Sequence, residues 1–311
     1  MYMKLVILML AYNEEERIAK TILRIPRKIP NIDQVEILVI NDGSTDNTID
    51  MAMNAGADKI ISHKTNLGVG AGFMTGIRNS ISLRADIVVT VDADGEANID
   101  QIPDLINPIV HNQFDVVVGT RFWKGNTSTY KKLNYFGNQI FTKLVSFVAG
   151  HKFTDTQTGF RAYSKDAIEN ITVVNDFTYT QEVLLDLYFK KFRIGETPIS
   201  FKHREDSRLV RSVTRYALRS LSIIFSTLVY HRPIMAFGIF SAFLSGIGIT
   251  AKLITSIPNL IEINSSLSSG LILLGAVSFM IGLFAHVVFK RQSFSEKDLL
   301  ERIRRLEKLK E

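Results

Sequence analysis

Asp92-Ala93-Asp94 closes the run Asp86-Ile-Val-Val-Thr-Val-Asp92. Side chains alternate faces along a strand, so the two aspartates point the same way around Ala93. Two carboxylates on one side suit an oxygen-preferring cation such as Mg2+ or Mn2+, which then grips a diphosphate. Taken alone, two aspartates ending a strand are equally a solvated turn, so the pair needs company.

Two further polar runs follow apolar ones: Leu10-Ala-Tyr-Asn-Glu14 and Ile40-Asn-Asp-Gly-Ser-Thr-Asp46. An acidic residue after the second strand of a mononucleotide-binding unit commonly receives a ribose hydroxyl or a base edge, which singles out Asp42. Gly43 lets the backbone turn sharply, with Ser44 or Thr45 capping the next helix. Asn66-Leu-Gly-Val-Gly-Ala-Gly72 is glycine-rich, but Phe73 breaks the dinucleotide pattern G-x-G-x-x-G, and the chain has no Walker A run. Gly68 and its neighbours fit a loop lying close to a diphosphate, or one leading into the next helix.

The elements that must position these residues alternate regularly. Lys4–Leu10, Glu36–Ile40, Lys59–Ser62, Asp86–Val91 and Asp115–Gly119 read as strands. Glu14–Arg24, Thr45–Ala55, Gly72–Leu83 and Asp100–His111 read as helices between them. Near-continuous Val/Ile runs are strands covered on both faces, the mark of an α/β fold with a mostly parallel sheet and helices on both sides. Ligands of such sheets bind at the carboxyl ends of the strands, where every polar run above is found. Residues 130–200 mix helix and loop around Asp155–Arg161 and end in a strand, Gly195–Phe201.

Beyond this domain the character changes. Arg208, Arg211, Arg215 and Arg219 share one face of a helix over Arg208–Tyr230, and Val210, Val213, Ala217, Leu221 and Ile224 form another. An interfacial helix is favoured over one packed on its own domain, because the segment runs straight into Pro233–Ile254. That stretch and Gly270–Phe289 are each long enough to cross a bilayer core of about 30 Å. Only Lys252 and His286 interrupt them, near their ends. The connector Thr255–Ser266 has no Lys or Arg, whereas His231-Arg232 and Lys290-Arg291 flank the spans. The positive-inside rule puts both outer flanks, and so both termini and the large domain, in the cytoplasm of a multi-pass membrane protein. The tail begins with a capping-box pattern, Ser295 and Asp298, and repeats Leu299, Ile303 and Leu306 at coiled-coil spacing. The expected divisions are 1–207 (catalytic), 208–230 (interfacial helix), 231–291 (hairpin with spans 233–254 and 270–289) and 292–311 (C-terminal helix). Self-association through the membrane helices or the tail stays open.

The 311 residues include no cysteine, which excludes disulfides and thiolate metal sites. The net charge is +6, yet residues 200–232 and 290–311 together carry +8, so the rest of the chain is slightly acidic. Both basic stretches flank apolar segments, which points to anionic lipid headgroups and away from nucleic acid. Lys4 and the apolar run to Ala11 lack a small-residue cleavage site before Tyr12-Asn-Glu-Glu-Glu-Arg17, so a buried first strand is expected there instead of a signal peptide.

Six motifs stand in order: Tyr12-Asn13-Glu14, Asn41-Asp42-Gly43-Ser44, Asn66-Leu67-Gly68, Asp92-Ala93-Asp94-Gly95, Gly119-Thr120-Arg121-Phe122 and Asp155-Thr-Gln-Thr-Gly-Phe-Arg161. Over about residues 3–210 the chain resembles family 2 glycosyltransferases of the GT-A (Rossmann-like) fold, specifically dolichyl-phosphate mannose synthases and related polyprenyl-phosphate sugar transferases. The resemblance implies a nucleotide-sugar donor lying against Tyr12, Glu14 and Asp42, with Asp92 facing the sugar-nucleotide and Asp94 binding the metal. Glu96 stands where many relatives carry glutamine and adds a third candidate metal ligand. Arg121 is implied to approach the phosphates. The implied acceptor is a polyprenyl (dolichyl) phosphate whose oxygen attacks the anomeric carbon with inversion. GDP-mannose is the leading donor, with UDP-glucose and UDP-N-acetylglucosamine behind it.

Two anions held together require cations beyond the metal, and Lys131, Lys132, Arg161, Arg204 and Arg208 are candidates. Related synthases carry a basic residue followed by Gly-x-Ser-Lys-Leu. Here Lys202-His-Arg-Glu-Asp-Ser-Arg-Leu209 matches at Ser207 and Arg208, with Glu205 at the glycine position, and leaves Lys202 and Arg204 both open. A processive polysaccharide synthase is disfavoured, because the only tryptophan is Trp123 and no Gln-x-x-Arg-Trp run exists. A catalytically silent membrane scaffold is disfavoured by the intact Asp-x-Asp.

Overall fold

The computed structural model describes residues 2–123, 132–173, 175, 177–201, 213–256 and 265–308. The chain divides into two units, Met1–Ile223 and Ile224–Glu311.

The first unit is built on a seven-stranded sheet: β1 (Lys4–Ala11), β2 (Gln34–Asn41), β3 (Lys59–Ser62), β4 (Ile87–Asp92), β5 (Val116–Thr120), β6 (Arg161–Ser164) and β7 (Ile194–Pro198). Their order across the sheet is β3-β2-β1-β4-β6-β5-β7. β6 pairs antiparallel with both β4 and β5, and every other pairing is parallel. β6 lies in the region expected from the sequence to mix helix and loop. At four residues it is too short to show periodicity.

The helices are α1 (Ile18–Leu23), α2 (Thr48–Asn54), α3 (Val69–Ser82), α4 (Ile102–Val110), α5 (Lys132–Ala149), α6 (Lys165–Asn170) and α7 (Thr180–Phe189). Alternation along β1 divides the core into two layers. Leu5, Ile7 and Met9 pack with Ile18 and Ile22 of α1 and Ile102, Leu105 and Ile106 of α4. Val6 and Leu8 pack with Phe73 and Ile77 of α3 and Val183 and Leu187 of α7. Each such buried aliphatic side chain stabilises the fold by about 1.5–3 kcal/mol relative to exposure.

Register places the polar ends together. Leu10 pairs with Ile40 on one side and Asp92 on the other, so β1, β2 and β4 finish in line. Because β6 runs the opposite way, its first residue, Arg161, lies beside Thr90 and Val118 near that same edge. The run Asp155–Phe160 therefore enters the sheet where the parallel strands leave it.

α8 (Val213–His231) crosses the boundary between the units. It buries Ser220, Ile223, Ile224, Thr227 and Leu228, and leaves Leu218, Leu221 and Phe225 exposed. Of the apolar face expected from the sequence, Leu221 is exposed and Ile224 buried. The Arg219 guanidinium lies 4.9 Å from the centroid of the Phe177 ring within the first unit, so this arginine packs on its own domain.

In the second unit, α9 (Pro233–Thr255) and α10 (Ser265–Lys308) carry the two apolar stretches, with mean hydropathy 1.9 and 2.4. Both are long and apolar enough to cross a membrane. They approach closely where a side chain has been given up: a Cβ on Gly248 would lie 2.7 Å from the Ser268 carbonyl oxygen, and one on Gly282 2.8 Å from Phe237 Cβ. α10 continues unbroken through residue 308. The capping-box pattern at Ser295 and Asp298 therefore opens no separate helix, because the backbone hydrogen bonds it would cap are already made within α10.

Candidate active site at the carboxyl edge of the sheet

Asp92 ends β4, and Asp94 already lies in the turn that follows. Asp94 Oδ1 accepts the Glu96 backbone N–H at 3.0 Å, and Gly95 completes the turn at φ +72°. Strand alternation therefore does not reach Asp94; the turn is what brings the two carboxylates near each other. Burial pushes the Asp92 carboxyl up to about 7, and the charges of Asp94 and Glu14 add to the rise while Arg121 opposes it. Glu14 stands after β1, where its backbone N–H donates to Thr48 Oγ1 at 2.9 Å.

Two residues missed by sequence reasoning confine Asp92. A Cβ on Gly159 would lie 2.9 Å from Asp92 Oδ2 and 3.2 Å from the Tyr179 hydroxyl. Tyr179 stacks on Phe73, with ring centroids 4.0 Å apart and planes 7° from parallel. Burial, and next the charge of Asp92, push the Tyr179 hydroxyl well above its ordinary range, so it stays protonated. The Gly-Phe step before Arg161 was visible in the sequence, but Tyr179 carried no motif.

Arg121 follows β5 and is held by Asp155: Nε donates to Oδ2 at 2.6 Å and a terminal nitrogen to Oδ1 at 2.9 Å. Its guanidinium also lies 5.4 Å from the ring centroids of Phe122 and Phe201. Burial works against ionisation of Asp155, but Arg121 and the backbone N–H groups of Gln157 and Arg121 hold its carboxyl below the ordinary value. The backbone N–H of Thr154 donates to Glu196 on β7 at 2.8 Å, which ties this loop to the sheet. Arg121 is thus a fixed, charge-paired group beside Asp92.

Arg161 does not stand where an acceptor phosphate could meet it. It is fully buried on β6, donating to the carbonyl oxygens of Thr180 at 2.6 Å and Thr156 at 2.9 Å. Insertion of β6 between β4 and β5 turns this side chain into the protein, where backbone carbonyls take up its two terminal nitrogens. Among the other proposed acceptor-phosphate residues, Lys131, Lys202, Arg204, Ser207 and Arg208 lie outside the described residues. Lys132 begins α5, with its side chain outside them.

On the other side of Asp92 the loops after β1, β2 and β3 interlock. The Asn13 N–H donates to Ser44 Oγ at 2.9 Å, and the Thr45 N–H donates to Asn13 Oδ1 at 2.9 Å. Ser44 and Thr45 are therefore spent on this junction, and Asp46 receives the first amide of α2, Thr48 N, at 3.0 Å. Asp42 accepts the N–H groups of Leu67 and Gly68, both at 2.9 Å, and Nδ1 of His63 stands 2.7 Å from its Oδ1. The glycine-rich run leads into α3, and the Gly68 amide is directed at Asp42. Tyr12, at the end of β1, is exposed.

Among the described residues, no three His, Cys, Asp or Glu side chains converge as a metal cage. Asp92, Asp94 and Glu96 accordingly do not form a three-ligand cluster. Asp92 and Asp94 still fit a hard cation, since their charges oppose each other and a bound cation removes that opposition. Mg2+-type sites commonly take one or two carboxylates and complete their shell with water and substrate phosphate.

A family model described as glycosyl transferase family 2 matches residues 6–172. The UDP-N-acetylglucosamine–dolichyl-phosphate N-acetylglucosaminyltransferase of Methanococcus voltae is 31% identical over 219 residues, covering 63% of this chain and 85% of that protein. The undecaprenyl-phosphate mannosyltransferase of Micrococcus luteus is 27% identical over 215 residues, covering 65% and 85%. Among solved structures, glucosyl-3-phosphoglycerate synthase of Mycobacterium tuberculosis, solved with Mn2+ and UDP, superposes with a TM-score of 0.56. It is 19% identical, over 73% of this chain and 79% of that one, a likeness of fold.

Proposed function

The chain belongs to glycosyl transferase family 2, and from that premise we propose that it transfers a single sugar from a nucleotide sugar to a polyprenyl phosphate, with inversion. The observation that carries the reading is the Asp92–Asp94 pair, two mutually opposed carboxylates at the carboxyl edge of the sheet. The two apolar helices support a lipid acceptor, since they would keep the chain at a bilayer. Relatives named for dolichyl- and undecaprenyl-phosphate transfer support the acceptor class.

In this reading the donor base and ribose lie against Tyr12 and the loops that Glu14 and Asp42 hold. Asp94 and Asp92 would hold a Mg2+ or Mn2+ ion, which when bound would offer charge neutralisation to the departing nucleoside diphosphate. The acceptor phosphate is already largely dianionic at neutral pH, so no strong general base is required. What remains for the protein is alignment of two anions, and Arg121 contributes a cation whose direction Asp155 fixes. Acceptor-phosphate contacts fall to the basic residues of 131–132 and 202–208.

GDP-mannose is the donor expected from the resemblance. UDP-N-acetylglucosamine is a second reading, favoured by the relative at 31% identity. Residues 1–207 are assigned to catalysis, 208–230 to the membrane interface and 231–291 to the hairpin, with both termini cytoplasmic.

The test incubates membranes containing the protein with GDP-mannose, UDP-glucose or UDP-N-acetylglucosamine and a polyprenyl phosphate, and weighs the glycolipid formed. One sugar per lipid is expected, with Mn2+-dependent nucleotide binding lost in Asp94→Ala. Nucleotide binding unaffected by metal removal and by that substitution would overturn the metal–diphosphate role.

A further inference from the structure

His63 follows β3 at the carboxyl edge, and its side chain is only 10% exposed. Nδ1 stands 2.7 Å from Asp42 Oδ1, and Nε2 stands 3.0 Å from the hydroxyl of Thr75 on α3. Asp42 Oδ1 also accepts the Leu67 N–H and Oδ2 the Gly68 N–H, both at 2.9 Å. A carboxylate receiving amide hydrogens on both oxygens acts as an acceptor, so Nδ1 carries a hydrogen. In the neutral ring, Nε2 then accepts from the Thr75 hydroxyl, and this tautomer satisfies every polar atom of the ring.

The carboxylate has about four acceptor positions, and His63, Leu67 and Gly68 take three. Oδ1 is filled by His63 and Leu67, which leaves the second position of Oδ2 for a ligand. The loop is pinned from the other side as well: a Cβ on Gly43 (φ +73°) would lie 2.5 Å from the Thr65 carbonyl carbon and 2.7 Å from Asn66 N. Any tilt of Asp42 would therefore release the Leu67 and Gly68 amides and move the start of α3. Leu67, 51% exposed, is the residue this clamp presents at the edge.

We propose that His63 is a positioning residue for the nucleotide of the donor: it fixes the Asp42 carboxylate, which holds the loop at residues 66–68 and aims one oxygen at the ligand. His63 acts through Asp42 and touches no reacting atom. The inference rests on the nucleotide-sugar reading given above.

The test uses the full-length protein in detergent, titrating UDP and GDP with Mn2+ by calorimetry and measuring transfer at varied donor concentration. His63→Ala and His63→Gln are expected to weaken nucleoside diphosphate binding about tenfold, which is ~1.4 kcal/mol. The donor KM should rise alike, with kcat within about twofold. His63→Asn, whose amide N–H can stand where Nδ1–H stands, should restore most of the affinity. Thr75→Val should weaken binding less, because the Asp42 contact survives. A fall in melting temperature with unchanged affinity in His63→Ala, or equal behaviour of the Asn and Gln variants, would overturn the positioning role. Wild-type nucleotide binding without any glycolipid product would sink the polyprenyl-phosphate reading and leave His63 in place. A wild-type protein that binds neither nucleotide would overturn both.

Discussion

Gly159 lies so close to Asp92 that a Cβ there would stand 2.9 Å from Oδ2. The carboxylate is thus pressed against backbone on one side, with the phenol of Tyr179 beside it. Gly159→Ala is expected to displace Asp92 and cost about 100-fold in kcat/KM, the scale of a misplacement of about 1 Å. Transfer kinetics compared with the circular dichroism spectrum would check it, since the fold should be retained.

The metal-free Asp92 carboxyl is pushed up to about 7, first by burial and then by Asp94. Below that pH a proton holds the site and a cation must displace it. Mn2+ affinity should therefore rise about tenfold per pH unit on approaching 7 and level off above it. Calorimetric Mn2+ titrations from about pH 5.5 to about pH 8.5 would show the bend. Asp92→Asn should abolish it.

Asp155 is buried against Arg121, and Asp155→Asn removes the charge that Asp155 sets against a largely buried guanidinium. A loss of about 3–5 kcal/mol of stability is expected, read as a lowered melting temperature. The folded-state pKa of Asp155 is depressed despite burial, through the Arg121 charge. Its stabilisation is therefore present above the ordinary value of 3.8 and lost as pH falls through the depressed one. Melting curves at falling pH should show a slope in the wild type that Asp155→Asn flattens.

Arg161→Lys separates a structural arginine from an acceptor ligand. The guanidinium donates to two carbonyl oxygens inside the protein, and a lysine cannot span both in the same geometry. A stability loss of about 2–4 kcal/mol is expected, with the KM for polyprenyl phosphate unchanged in the folded fraction. A raised acceptor KM at wild-type stability would contradict the buried placement.

Much of this architecture was legible beforehand. Near-continuous Val/Ile runs marked β1, β2, β4 and β5, because strands covered on both faces have no polar alternation to obscure them. β6 was not legible: Arg161-Ala-Tyr-Ser is a short segment whose pairing is supplied by β4 and β5. The error at Arg161 follows from that, since an arginine in a loop faces solvent and one in a central strand cannot. At Asp94 the expected proximity to Asp92 is present, but the turn at Gly95 creates it where strand alternation had been invoked. The apolar stretches of α9 and α10 were plain from composition. The unbroken passage of α10 beyond residue 291 was not, because the polar tail carries its own start signal.

By itself the sequence determined where chemistry could occur: parallel strands put their following residues on one edge, and Tyr12, Asp42, Asp92 and Arg121 each follow or end a strand. That result depends only on local periodicity and chain direction. The tertiary structure decided how each of those charges is held. Arg121 is held by Asp155, Arg161 by two carbonyl oxygens, and Asp42 by His63 and two amides, while Asp92 and Asp94 are left opposing each other. Such pairings join residues distant in the chain and depend on burial, where an unmatched charge is costly, so no local pattern records them.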